Sequence, residues 1–465
     1  KISADGQPMR PSWYISQILR VFPSLQVRST LQERPVIDSW SSALDAMAAT
    51  DGELREKEPE GWWKELYLLL SEEPEQRKKL SRILDACFYR YHGTRIQKAV
   101  SSILYGNSVS GSVTRLETYA ACAYAQFITY GLRLTERVEY EFGSMDRGNF
   151  FHKALETVFQ EMKKENLRPE QVDDTIRKKL VDSAITQACA LNGGTILQDS
   201  AQNAYFVERW RKMTDKTVWA ICEQLKASDF RPEELEMLFD GSRSAVMNLI
   251  LSEEERMYLR GVIDRVDLYE DDDRVYVKIV DYKTGRRALE LGSVYYGLQL
   301  QLMVYLDAVM ELEQRLHPDK EVVPAGVYYY QIQEPFVEST AALPEEELEK
   351  KLLNELKLKG LTNSGNHVPE HMESVGGISV TPEEFRVLQH HVRRKVREFG
   401  SGILSGEIPA SPYRTEKQTA CERCAFAAVC GFDPGLPGYR YRRLRSMDTE
   451  TLWEKMREEE EEGEE

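Results

Sequence analysis

The chain has 465 residues, of which 42% are hydrophobic and 30% are charged. This length is enough for two to four domains, and the composition excludes collagen-like, mucin-like and wholly disordered proteins. No apolar run approaches the roughly 20 residues that a membrane helix needs, and the first residues carry no secretory signal. The first residue is Lys1 rather than methionine, which predicts that the chain is a piece of a longer polypeptide.

The formal net charge of −16 argues against a generally basic protein that coats nucleic acid. Residues 446–465 form an acidic tail with seven glutamates in its last eight positions, and this composition predicts disorder. A basic cluster stands just before the tail and is predicted to be either a contact to the DNA backbone or a solvated face. Its members are Arg440, Arg442, Arg443 and Arg445.

Residues 1–105 are predicted to be mostly helical, since apolar residues recur at helical spacing over Ser39–Ala49 and Trp62–Leu70. The phosphate-binding motif GxxxxGK[ST] is missing from this region, so it is predicted to hold no ATP site. Gly106–Thr114 is rich in glycine, serine and asparagine, which is typical of a linker.

Beyond the linker, residues 160–250 are predicted to be a mainly helical insertion. The predicted helices are Arg115–Tyr130, Asn149–Glu165, Tyr295–Glu313, Glu345–Leu358 and Pro382–Phe399, and the predicted strands are Tyr258–Tyr269, Arg274–Tyr282 and Ala325–Gln331. This order predicts an α/β fold in which a small mixed sheet is flanked by helices.

Two of these strands flank the polar turn Glu270–Asp273, which predicts a hairpin. Side chains alternate between the faces of a strand, so pairing across this turn places Asp264 opposite residues 279–281. Asp264, Asp281 and Lys283 therefore meet on faces that are otherwise aliphatic. Because unpaired charges on such a face are costly, the pattern favours a bound Mg²⁺, which carboxylate oxygens coordinate.

The alternative is that these are exposed strand-end charges, with Asp264 paired to Arg260 or Arg265. A bare Asp-x-Lys would favour that alternative. The longer pattern, with Gly-x-x-Asp on one strand and Asp-Tyr-Lys-Thr-Gly on the next, favours the metal site. Asp267 is predicted to lie on the opposite face, away from the metal.

Two predicted helices carry polar candidates. His152 shares a helix face with apolar residues, so it is either a hydrogen-bonded core residue or a neutral imidazole ligand of the metal, with Glu156 as its supporting partner. Gln301 and Tyr305 are four residues apart and share one face of their helix. They are either an ordinary helix surface or contacts to a substrate phosphate.

Three cysteines, Cys421, Cys424 and Cys430, show the spacing C-x2-C-x5-C. In a chain without a secretory signal, this spacing indicates a metal site in a reducing compartment rather than disulfides. Three thiols leave such a site one ligand short, which favours a 4Fe-4S cluster with a remote fourth ligand over zinc or no metal. The remaining cysteines are isolated: Cys87, Cys122, Cys189 and Cys222.

In this order, the helix histidine, Gly-x-x-Asp, Asp-Tyr-Lys and Gln-x-x-x-Tyr resemble the RecB-type nuclease branch of the PD-(D/E)XK superfamily. The resemblance implies a restriction-endonuclease-like mixed sheet with helical insertions and a helical N-terminal remnant. The implied Mg²⁺ ligands are His152, Asp264, Asp281 and the carbonyl oxygen of Tyr282. The resemblance further implies that Lys283 positions or activates the attacking water and helps to stabilise the charge that develops on phosphorus, and that Gln301 and Tyr305 bind substrate.

The resemblance also selects the fourth cysteine. Nucleases of this branch that carry a cluster take one cysteine just before the nuclease core and three after it, which implies Cys122 together with Cys421, Cys424 and Cys430. The 4Fe-4S cluster would act as a structural staple that ties together both ends of a nuclease domain at residues 106–440.

Among cluster-bearing nucleases, the chain is most similar to the B-subunit family of bacterial helicase–nucleases. CRISPR-associated adaptation nucleases have little sequence before their nuclease core, whereas more than 100 residues precede Cys122 in this chain. Eukaryotic replication nuclease-helicases carry helicase motifs after the nuclease core, whereas only about 35 residues follow Cys430 in this chain. Gln7–Pro23 resembles the end of an inactive helicase-like region, so residues 1–105 are predicted to be that region.

Membership of this B-subunit family implies a heterodimer with an A subunit that carries the ATP-driven motor. The complex would be cytoplasmic and would resect double-strand DNA ends for recombinational repair, with this chain cutting the 5′-terminated strand. Two alternatives remain. One is a stand-alone nuclease for single-stranded DNA, which a test for copurification with a motor subunit would distinguish from the B subunit. The other is a non-catalytic DNA-binding scaffold. The intact charges of Asp264, Asp281 and Lys283 argue against the scaffold.

Overall fold

The chain forms two compact units, Lys1–Tyr91 and His92–Glu465. The division lies one helix before the predicted domain boundary at residue 105. The structure, a computed structural model, describes residues 12–25, 36–49, 61–106, 108–135, 144–192, 200–239, 248–251, 255–285, 287–338, 343–365, 367–373 and 375–464.

The described part of the first unit is helical, as the apolar spacing predicted. Its helices are α1 (Trp13–Val21), α2 (Trp40–Ala49), α3 (Gly61–Glu72) and α4 (Pro74–Cys87). Helices α2, α3 and α4 share a small core that includes Met47, Leu70 and Leu80. The first five residues of the segment Gln7–Pro23 lie outside the described residues, and most of the rest of that segment forms α1.

The second unit contains the β-structure. Its helices are α5 (Lys98–Tyr105), α6 (Val113–Ala121), α7 (Ala123–Gln126), α8 (Ser144–Lys164), α9 (Asp174–Asn192), α10 (Ala201–Lys226), α11 (Leu291–Tyr295), α12 (Gln301–Leu316), α13 (Glu345–Glu355), α14 (Pro382–Leu404), α15 (Ala427–Cys430) and α16 (Thr449–Glu464). Its strands are β1 (Ser108–Gly111), β2 (Arg231–Phe239), β3 (Asn248–Ile250), β4 (Arg256–Leu259), β5 (Gly261–Glu270), β6 (Arg274–Lys283), β7 (Glu321–Gln331), β8 (Lys359–Asn363), β9 (Gly376–Val380), β10 (Tyr413–Arg414) and β11 (Arg442–Arg443).

Six strands form the main sheet in the order β2-β5-β6-β7-β8-β9. The sheet is mixed, because β2, β5 and β6 pair antiparallel whereas β6 and β7 pair parallel. Parallel neighbours need a crossover connection, and α11 and α12 supply it between β6 and β7. This crossover carries the chain from the end of β6 through α11 to the start of α12.

Each face of the sheet is covered by helices. One core contains side chains of α6, α11, α12, α14 and α16, and the other contains side chains of α8, α9 and α10. The structure therefore confirms the predicted mixed sheet between helical layers. None of the described helices is long and apolar enough to cross a membrane.

Several element boundaries differ from the predictions. The insertion over residues 160–250 is not helical throughout, because its helices end at Lys226 and β2 follows as the edge strand of the main sheet. The strand predicted over Tyr258–Tyr269 is interrupted at Arg260: β4 joins a separate three-stranded sheet with β1 and β3, and β5 joins the main sheet.

The prediction of a disordered acidic tail is wrong for the described residues, which form α16. Trp453 and Met456 on this helix are buried in the sheet core. Glu459 accepts a hydrogen bond from Tyr295 Oη at 3.0 Å, and Glu460 forms ion pairs with residues of α14, including Arg386 at 2.8 Å. The acidic composition did not reveal that this segment has an apolar face and basic partners, which hold it in a helix against the rest of the unit.

Candidate active site

The β5–β6 hairpin brings the two predicted carboxylates together. Arg265 pairs with Val280 at the end of the ladder, and the same register continued by one residue places Asp264 beside Asp281, as the turn predicted. Both side chains are buried, with Asp264 7% exposed and Asp281 1% exposed. The backbone N–H of Tyr282 donates to Asp264 Oδ2 at 2.6 Å, which fixes one carboxylate against the neighbouring strand.

The crossover delivers α12 to the same place. Gln301 is the first residue of α12, and its Nε2 donates to Asp281 Oδ1 at 3.1 Å and to Tyr305 Oη at 3.0 Å. Gln301 and Tyr305 thus share a helix face, as predicted, and both lie at the carboxylates. Burial is the main cause that raises the pKa of Tyr305, so its phenol is neutral at ordinary pH.

Gly261, the glycine of Gly-x-x-Asp, stands where a side chain has no room. A Cβ at this position would lie 2.6 Å from Phe239 and 3.1 Å from Tyr305. The aromatic rings of Phe239 and Tyr305 contact each other with centroids 5.2 Å apart. The glycine therefore lets this aromatic pair close over the start of β5, three residues before Asp264.

His152 reaches the carboxylates from α8. Its Nδ1 lies 3.1 Å from Asp264 Oδ1 and 3.6 Å from Glu236 Oε1. Each of the three residues offers one ligand atom, and these atoms lie within 4.8 Å of one another, which is the spacing that a bound cation needs. Burial opposes a charged imidazole, but the hydrogen bonds and charges of Asp264 and Glu236 outweigh it and raise the pKa of His152 to about 10.

The two buried carboxylates repel each other. Burial first, and then the charge of Asp264, raise the pKa of Asp281 to about 7, although the Lys283 ammonium opposes the shift. Asp281 Oδ2 contacts Lys283 Nζ. Two acids packed together with one imidazole form the type of donor set that a hard divalent cation neutralises.

Glu236 was not among the predicted site residues. It lies on β2, next to β5, and its φ of 47° is a left-handed conformation that a non-glycine residue adopts at a cost of about 1–3 kcal/mol. Residues held in such conformations cluster at functional sites. No local motif marks Glu236. It reaches the site because β2 pairs with β5, although β3 and β4 lie between these two strands in the chain.

Two neighbouring acidic residues, Glu156 and Asp267, bond to groups outside the site. Glu156 lies one helical turn from His152, but its carboxylate accepts hydrogen bonds from Lys153 and Gln160 instead of from His152. Asp267 lies on the opposite face from Asp264, as predicted, where Arg265 donates to both of its oxygens at 2.7 Å. Arg265 is thereby committed to Asp267, which removes the alternative that it neutralises Asp264.

A family model described as the PD-(D/E)XK nuclease superfamily matches residues 110–431, which span the sheet and every residue of this site. The chain belongs to the PD-(D/E)XK nuclease superfamily. The match begins just before α6 and ends after the third cysteine of the C-x2-C-x5-C motif, so this nuclease domain includes both cysteine-bearing segments.

The chain is also similar to curated proteins named as the B subunit of an ATP-dependent helicase/deoxyribonuclease. It is 32% identical to the protein of Lachnoclostridium phytofermentans over 99% of the chain and 42% of that protein. It is 32% identical to that of Caldanaerobacter subterraneus subsp. tengcongensis over 97% of the chain and 41% of that protein. The chain thus spans about two fifths of the length of these relatives.

Four cysteines of the nuclease domain line one cavity of about 360 Å³: Cys122, Cys421, Cys424 and Cys430. Burial, followed by the neighbouring Cys122 thiol, raises the pKa of Cys421 to about 11. Among the described residues, no three of their sulfurs lie within 4.8 Å of one another. The spacing is wider than a single tetrahedral ion requires, because Zn–S bonds of about 2.3 Å hold the sulfurs of such a site close together.

The helix predicted over Arg115–Tyr130 breaks at Cys122. The backbone there is extended, with φ −164° and ψ 116°, and separates α6 from α7. Burial raises the pKa of the Cys122 thiol, and the nearby backbone N–H groups of Ala125, Tyr124 and Ser411 oppose this rise. From the basic cluster, Arg442 donates to the Ala120 carbonyl in the last turn of α6, so this arginine has a structural contact within the nuclease domain.

Proposed function

We propose that the chain is a divalent-cation-dependent DNA nuclease, the nuclease portion of a helicase–nuclease B subunit. The observation that carries the proposal is the meeting of Asp264, Asp281, His152 and Lys283 at one partly exposed site. The carboxylates are buried, whereas the imidazole and the ammonium are 26% and 23% exposed. A substrate phosphate can therefore approach from the side of His152 and Lys283.

The residues present fit a Mg²⁺ ion. Asp264 and Asp281 supply oxygen donors and Glu236 adds a carboxylate, while His152 would supply a nitrogen donor once the bound cation displaced its proton. In an antiparallel ladder, the N–H and the C=O of one residue point to the same neighbouring strand. Because the Tyr282 N–H bonds to Asp264, the Tyr282 carbonyl points to the same side, which supports it as a further ligand. A divalent cation bound there would act as a Lewis acid on the phosphoryl oxygen and make a bound water more nucleophilic.

The surrounding side chains have separate tasks. Lys283 is placed to orient the attacking water and to stabilise the negative charge that develops on the phosphoryl oxygens. Gln301 holds Asp281 Oδ1 in place, and Tyr305 supports Gln301 from the next turn of α12. Gln301 is partly exposed and presents a neutral N–H donor that suits a contact to a substrate phosphate, and the buried Tyr305 hydroxyl lies behind it on the same helix face.

Substitution of Glu236 tests whether its carboxylate belongs to the metal site. We expect Glu236→Gln to weaken Mn²⁺ binding by about tenfold to a hundredfold, as loss of a metal-supporting partner typically does. Calorimetric titration of the protein with Mn²⁺, without DNA, measures the affinity. Glu233→Gln is the matched control, since Glu233 is an exposed residue on the same strand. Equal affinity in wild type and Glu236→Gln would remove Glu236 from the site.

We further propose that Cys122, Cys421, Cys424 and Cys430 hold a 4Fe-4S cluster with a structural role. The observation that supports this proposal is that the four cysteines line one cavity. The cluster would join α6 at the start of the nuclease domain to the segment that follows α14. The cysteines are far apart in sequence, so this link would constrain a long stretch of chain.

The names of the relatives support a larger assembly. We propose that residues 1–105 are the end of a helicase-like region and that the full protein pairs with an A subunit carrying the ATP-driven motor. The complex would resect double-strand DNA ends in the cytoplasm for recombinational repair, and this chain would cut the 5′-terminated strand. Affinity capture of the full-length protein from its native host tests the pairing; a large motor subunit is expected, and its absence would favour a stand-alone nuclease.

Digestion of end-labelled DNA tests the activity of the chain itself. We expect single-stranded DNA to be cut in the presence of Mg²⁺ and to stay intact when EDTA removes the ion. A duplex with a single-stranded tail of either polarity, labelled in turn on each strand, reports which strand is cut. Intact DNA at all Mg²⁺ concentrations would contradict the proposal and would favour the non-catalytic scaffold.

A further inference from the structure

A second cationic side chain, Arg287, stands beside Lys283. Its guanidinium carbon lies 5.4 Å from the centroid of the Tyr329 ring, and Lys283 Nζ lies 5.9 Å from the same centroid. Tyr329 pairs with Asp281 across β6 and β7, so the ring belongs to the floor of the site. The two cationic groups therefore share one aromatic support at the edge of the carboxylate site.

Arg287 is held in place by a distant charge rather than by a close ion pair. The Oε2 atom of Glu117 lies 3.7 Å from the guanidinium, which is longer than a hydrogen bond. The side chain of Arg287 is 34% exposed. Because a guanidinium has five N–H donors in a planar fork, this exposure leaves donors available to a ligand from solvent.

Glu117 connects this arginine to the helix that carries Gln301. Its Oε1 accepts the backbone N–H groups of Leu300 at 2.8 Å and of Gln301 at 3.1 Å, and so caps the start of α12. Its other oxygen faces Arg287. The Glu117 carboxylate, which is only 12% exposed, thus fixes the position of the guanidinium relative to Gln301 and, through Gln301, relative to Asp281.

We propose that Arg287 binds a backbone phosphate of single-stranded DNA next to the phosphate that is cut, with Glu117 as its positioning residue. This inference depends on the proposed nuclease function. A nucleic-acid strand carries one charge per nucleotide, so a strand whose scissile phosphate lies at Asp281 and Lys283 presents further phosphates to the neighbouring surface. A planar, partly exposed guanidinium matches the paired oxygens of such a phosphate.

The salt dependence of DNA binding tests the contact. Fluorescence anisotropy with labelled oligo(dT) in EDTA, over a salt series, measures binding without cleavage. We expect Arg287→Gln to weaken binding by about tenfold at low salt. The slope of log affinity against log salt should fall by about 0.7, the value for one phosphate contact on a single strand, and Arg287→Lys should restore it because lysine keeps the charge.

Arg274→Gln is the matched control. Arg274 begins β6, at the far end of the strand from Lys283, is 33% exposed and has a close ion pair with Glu321. Its loss should therefore leave both affinity and slope unchanged. Weaker binding with an unchanged slope would give Arg287 a purely structural role, and unchanged binding would remove the contact; either result overturns the inference. If wild type binds but does not cut with Mg²⁺, while Arg287→Gln lowers the slope, the nuclease proposal fails and the phosphate contact stands.

Discussion

Replacement of Asp281 by asparagine should lower the rate of Mg²⁺-dependent DNA cutting by about a thousandfold or more, while the protein still folds. Asparagine keeps the size of the side chain and can still meet Gln301, but it removes one of the two buried charges that would bind the ion. Metal-ion stabilisation of transition-state charge is worth several kcal/mol, and each 1.36 kcal/mol is a factor of about ten in rate. Single-turnover cutting of labelled single-stranded DNA measures the loss.

Asp272→Asn serves as the control for this substitution, because Asp272 is an exposed residue in the turn of the same hairpin. It should cut like wild type. Thermal unfolding of both variants checks that the fold is retained, and Asp281→Asn is expected to melt no lower than wild type, since its buried charge repulsion is relieved. Cutting by Asp281→Asn at the wild-type rate would contradict the assignment of the hairpin as the catalytic site.

The second large effect concerns the cysteines. We expect the wild-type chain, purified without oxygen, to be brown with absorbance near about 400 nm, and Cys122→Ser to lose this colour and to melt about 10 °C lower. The binding energy of a structural metal group is largely folding energy, and loss of one ligand forfeits much of it. Anaerobic absorbance, iron and sulfide analysis and thermal unfolding measure these effects.

Cys189→Ser is the matched control for the cysteine experiment. Cys189 lies on α9 in the opposite core and does not line the cysteine cavity. This variant should retain the colour and the melting temperature of wild type. Iron bound equally by wild type and Cys122→Ser would remove Cys122 from the ligand set, and a colourless wild type that contains zinc would replace the cluster by a zinc site.

Sequence reasoning located the hairpin site because its pattern is local. The turn between β5 and β6 fixes the register, so the pairing of Asp264 with Asp281 follows from counting residues. Helical spacing likewise placed Gln301 and Tyr305 on one face. Glu236 and Glu117 escaped prediction because neither belongs to a local pattern: each reaches the site through tertiary packing, one from an edge strand and one from α6.

The element boundaries failed for a related reason. Periodicity indicates that a segment is buried or amphipathic, but it does not say where the chain turns. Arg260 interrupts a β-rich run because the two halves join different sheets, and Cys122 interrupts a helical run because its thiol faces the cysteine cavity. The acidic tail was mispredicted because its partners, basic residues of α14, lie more than 50 residues earlier in the chain.

The position of the bound ion is the most direct test of the central claim, a divalent cation held by the hairpin. Crystals of the wild-type chain soaked in Mn²⁺, with diffraction recorded at the manganese absorption edge, would reveal the ion by its anomalous signal. The claim predicts one strong peak within coordination distance of Asp264, Asp281 and His152. A peak only at other acidic residues, or none at a concentration that supports cutting, would contradict it.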